Sequence, residues 1–177
     1  ARLAFITMVR AASLPDVDSV LVRLDSATLR TPFARRVSEQ LLLIRLLTSQ
    51  DEPTGAARFL AAEVARDSLR AVGLARSLFM QVVREQPGAA LAPHALYAAG
   101  LLTPDSAAAW GQRIAREYSG SAVARWIAGD DPASQSDFAS VPALLSQRWG
   151  VAIRVWADSV RKLRTPARAN GTPSGPR

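Results

Sequence analysis

With 177 residues, of which 49% are hydrophobic and 21% charged, the chain has the composition of one folded domain with tails, not of a disordered segment. It contains no cysteine, which excludes disulfides, thiolate catalysis and cysteine-ligated metals without fixing the compartment. The strongest apolar run, Leu41 to Leu47, is broken by Arg45 and is far shorter than the roughly 20 residues a membrane-spanning helix needs, so no such helix is expected.

Residues 1–13 place Leu3, Phe5, Ile6, Met8 and Val9 where both strand and helix readings stay open. The opening has neither a Met nor a charged-then-apolar leader pattern and reads as a processed or truncated start. After Pro15 and Asp16, the series Val17, Val20, Leu21, Leu24, Ala27 has helical spacing, with acids first and Arg30 last, as the helix dipole favours. Thr31 and Pro32 supply a cap and a first-turn proline for a second helix, whose stripe Phe33, Val37, Leu41, Ile44, Leu47 runs to Thr48. A turn spans Gln50 to Thr54.

Between Gly55 and Gln86 the apolar pattern meets a polar break at Arg66, Asp67 and Ser68. Two helices with a turn near Asp67 are expected, one long helix being the alternative. Pro87 and Gly88 end this part, and Pro93 is tolerable only in a first turn, which places the next helix start near Leu91. Thr103 and Pro104 open a helix that runs to Tyr118, and Ser119 to Ser121 turn into a short helix ending at Gly129. Asp130 to Ser136 reads as a linker, with the boundary region at 132–140. Beyond it Trp149, Ile153, Trp156, Val160 and Leu163 share one face of an amphipathic helix over 141–164, and residues 165–177 form a basic extended tail.

One stretch is written twice. At an offset of 32, Ala75, Leu78 and Val82 fall on Ala107, Trp110 and Ile114, while Gly88, Leu91 and Ala92 fall on Gly120, Val123 and Ala124. Two helical hairpins stacked side by side satisfy that pattern. From Ala61 to Asp131 the sequence resembles bacterial tetratricopeptide-repeat proteins of the cell envelope, on the strength of Gln86-Pro87-Gly88, Ala92-Pro93-His94-Ala95-Leu96 and Tyr118-Ser119-Gly120-Ser121. It departs from them where Gln86 replaces an aromatic, where Ser119 replaces a proline, and in a period shorter than their usual value of about 34. The resemblance implies an all-α, TPR-like stack of antiparallel helical hairpins that binds peptides or proteins on a concave or edge surface. It further implies a periplasmic or membrane-associated, peripheral place in the bacterial envelope, in outer-membrane assembly complexes or in photosynthetic reaction-centre and antenna complexes.

The charge is unevenly placed. Residues 1–147 hold 15 Arg against 14 acids, whereas 148–177 hold seven basic groups against Asp158, so that +6 of the formal +7 lies in the last 30 residues. All but one of the 22 basic residues are Arg, the exception being Lys162, which with the abundant Ala fits the coding bias of a GC-rich bacterial genome. Candidate docking residues are Arg148, Trp149, Arg154 and Trp156 on the C-terminal helix, followed by Arg161, Lys162 and Arg164, with Arg168 and Arg177 in the tail. Trp and Arg together favour an anionic membrane interface. The plainer reading is that the Trp149/Trp156 face covers the open end of the repeat stack.

The catalytic signals are weak. His94 is the only His and has no partners in the pattern of a metal site or a general base; a helix-surface role is the plainer reading. Glu63 and Asp67 stand one turn apart, but Arg66 and Arg70 beside them argue for an ion-pair face. Ser159-Val160-Arg161-Lys162 spells a penicillin-binding motif without its companion motifs, and Asn170-Gly171-Thr172 spells a glycosylation sequon that matters only in a eukaryotic secretory protein. No phosphate loop or metal-spaced cluster occurs, so the expected function is a non-enzymatic scaffold without cofactors, holding together other protein subunits of a membrane complex. A basic nucleic-acid-binding protein is the alternative; the absence of any recognisable nucleic-acid-binding motif weighs against it.

Overall fold

Why the chain folds as it does is clearest at its helix ends. The computed structural model describes Val17, Ser19 and residues 31–51, 54–103 and 107–130. Within these it contains six α-helices and one π-helical turn, with no strand among the described residues. Val17 and Ser19 are helical and Val17 is buried; the rest of the helix expected there, residues 1–13, and the linker, C-terminal helix and tail expected from 132 onward lie outside the described residues. The chain divides into two units, Ala1–Phe138 and Ala139–Arg177, and all six helices belong to the first.

Helix α1 (Pro32–Thr48) starts as its sequence dictates: the Thr31 hydroxyl accepts from the Ala34 N–H at 3.2 Å and Pro32 sits in the first turn. Its buried side, Ala34, Val37, Leu41, Ile44 and Leu47, recurs every three or four residues and packs on α2 (Ala56–Glu63). Gly55 begins α2 in a left-handed conformation, φ 73°, where a Cβ would also stand 2.5 Å from the Gln86 Oε1 and 2.9 Å from a Val82 methyl. Only glycine meets both demands.

The break expected near Asp67 is real but differently built. Helix α2 widens into a π turn (Val64–Ser68), Leu69 to Ala71 leave the helix, and α3 (Val72–Glu85) begins afresh, so the single-helix alternative is excluded. The Leu69 N–H reaches the Val64 carbonyl at 3.3 Å and the Ala71 N–H reaches that of Ala65 at 2.9 Å, while Arg70 takes φ 55°. Burial explains the detour: Ala65, Leu69 and Ala71 are all in the core. A plain turn of polar residues at Asp67 would leave those apolar side chains in water.

Helix α4 (Ala92–Leu101) carries Pro93 in its first turn, as expected, and is buried on nearly every side because it lies against α3, α5 (Ala107–Glu117) and α6 (Ala122–Ala128). The start of α5, expected at Pro104, lies outside the described residues; the Thr103 hydroxyl donates back to the Ala99 carbonyl at 3.0 Å and so closes the end of α4. Ser121 caps α6 by accepting from the Ala124 N–H at 3.1 Å. Gly129, φ 79°, ends it, with its N–H on the Trp126 carbonyl and the Asp130 N–H on that of Arg125.

Each helix packs on its neighbour in sequence, and the core follows that path: Leu41 and Ile44, then Phe59 against Phe79 edge to face at 5.2 Å, then Leu74, Leu78, Val82 and Leu96, and last Ile114 and Val123. No described helix is long and apolar enough to cross a membrane.

Candidate interaction surface

All nine docking residues expected from the sequence, Arg148 through Arg177, lie outside the described residues. The described helices offer three other features, and each has a distinct chemistry.

The first is an apolar groove where α4, α5 and α6 meet. Tyr97, Gly100 and Leu101 contribute from α4, Trp110 and Gly111 from α5, and Ile127 from α6, around a volume of about 120 Å³. Its form follows from side-chain size. Gly100 lets the helices close up, since a Cβ there would stand 2.9 Å from both Cβ and Cγ of Trp110. Gly111 does the opposite: a Cβ there would find only an Ile127 methyl at 3.9 Å, so the missing side chain leaves open space. Tyr97 is held from the other side by Trp126, whose ring lies edge-on at 5.1 Å. Leu101 is 61% and Ile127 39% exposed, two of the few large apolar side chains so placed among the described residues. The Trp110 indole nitrogen is buried and makes no hydrogen bond among the described residues, an unused donor at the groove wall.

The second feature is the polar cluster on the π turn. Arg66 grips Asp67 through two bonds of 2.8 Å and also lies 3.7 Å from the Glu63 carboxylate, with its guanidinium over the Phe79 ring at 5.9 Å. The Arg66 hydrogen bond holds the Asp67 carboxyl below its usual range, whereas burial pushes that of Glu63 up, against the pull of Arg66. The two carboxylates share one guanidinium, so the cluster is an ion-pair face on the π turn.

His94 is the third. Its Nδ1 lies 3.2 Å from the Ala90 carbonyl oxygen, which only accepts, so that nitrogen carries the proton. Burial lowers the imidazole below its ordinary range, with the Ala90 bond opposing. Among the described residues no group of three or more His, Asp or Glu is placed to hold a metal ion.

Sequence patterning does not announce the groove as it announces the helices, although a signal for it is present. The offset of 32 sets Gly111 on Phe79 and Ile127 on Ala95, a reversal of large and small residues between the two hairpins. The chain matches no protein-family model, no curated protein and no solved structure.

Proposed function

We propose that this protein is a non-enzymatic scaffold subunit of a bacterial membrane or envelope complex, extrinsic to the membrane, in which a TPR-like helical stack carries a basic docking region. The observation that carries the reading is the division of labour in the chain. Residues 1–147 are nearly balanced in charge and include all six described helices, while +6 of the +7 net charge is concentrated in 148–177 together with Trp149 and Trp156. Such an end is suited to acidic protein surfaces or anionic head groups. Support for the TPR-like assignment comes from helix order and burial: α3–α4 and α5–α6 are successive hairpins, and the offset-equivalent pairs Val82/Ile114 and Leu91/Val123 are buried in both. The periplasmic face of the envelope is the setting this reading assigns.

The test is co-purification of the full chain with membrane complexes, followed by mass spectrometry, beside a chain lacking residues 165–177. Release by salt alone and weakened association of the truncated chain are the expected results. Unchanged association removes the tail from the account, and co-migration with nucleic acid that nuclease abolishes replaces the reading with a nucleic-acid-binding one.

A further inference from the structure

We draw no further inference here: the strongest candidate, the apolar groove between α4, α5 and α6 walled by Tyr97, Trp110 and Ile127, belongs to the surface already described, and nothing in the structure shows what covers it.

Discussion

The hairpins α3–α4 and α5–α6 share a register and use it differently. Where the first buries Leu78, Phe79, Val83 and Ala95, the second has Trp110, Gly111, Ala115 and Ile127 at the positions 32 residues on. Phe79 is wholly enclosed, whereas Gly111 and Trp110 are half-buried, Ala115 is exposed and Ile127 is 39% exposed. The innermost positions, Val82 with Ile114 and Leu91 with Val123, are buried in both hairpins. Keeping the inner contact preserves how neighbouring helices pack, while the outer positions decide whether that packing is sealed. In the second hairpin Gly111 and Ala115 are smaller than Phe79 and Val83 while Trp110 and Ile127 are larger than Leu78 and Ala95, and the exchange leaves a groove instead of a closed core.

The largest expected effect breaks the sealed side of this contrast. Phe79→Ala removes a fully buried ring that contacts Phe59, and should cost about 3–5 kcal/mol of unfolding free energy. Trp110→Ala, at the equivalent outer region of the second hairpin and already beside open space, should cost about 1–2 kcal/mol. Urea unfolding of the two variants tests the contrast, and equal losses would mean that the second hairpin is sealed as well as the first. The two groove glycines then sharpen it, because they should respond with opposite signs. Gly100→Ala drives a methyl into Trp110 and is expected to destabilise by about 1–3 kcal/mol. Gly111→Ala meets only ordinary contact and gains helix propensity, so it should stabilise by up to about 1 kcal/mol. Thermal melts read both.

A smaller gain is expected at Arg70, whose φ of 55° suits glycine better than a residue with a Cβ. Arg70→Gly should raise stability by about 0.5–1 kcal/mol, since the side chain is exposed and its loss removes no core contact. A fall in the urea midpoint instead would mean that the Arg70 side chain, not its backbone, holds the π turn in place.

What the sequence made legible were the helix ends that local chemistry dictates: Thr31 with Pro32, Pro93, Ser121 and Gly129 all act where their residue types imply. The π turn was not legible, because it exists to keep Ala65, Leu69 and Ala71 inside, a demand set by α1 and α3 and not by the run Arg66-Asp67-Ser68 itself. Gln86 shows the same limit. It departs from the aromatic expected in a TPR-like hairpin, and its amide packs over Gly55, a neighbour 31 residues away that no local pattern announces. The groove was half legible: the exchange of Phe79 for Gly111 is plain when the two copies are aligned, but the close approach at Gly100 that shapes the wall needs the helices in place.

The least of the expected effects separates the hairpins by pH. At the offset of 32, His94 of α4 corresponds to Trp126 of α6, so only the first hairpin carries an imidazole. Its folded pKa is lowered by burial, so on acidification the unfolded chain takes up the proton first, near the ordinary value of 6.5. The stability it contributes is therefore complete above about pH 6.5 and is lost as pH falls from there toward the folded value. Glu63 acts in the opposite sense, because its raised pKa makes the folded chain the better proton acceptor as pH falls toward the carboxylate range. Comparing urea midpoints of the unaltered chain and His94→Gln at about pH 7.5 and about pH 5.5, on either side of the ordinary imidazole value, isolates the imidazole: the unaltered chain should lose more stability over that interval than the variant. Hydrogen exchange should place the added loss in α4 before α6. Identical pH dependence in the two proteins would mean that the surroundings of His94 accommodate the imidazolium as readily as water does.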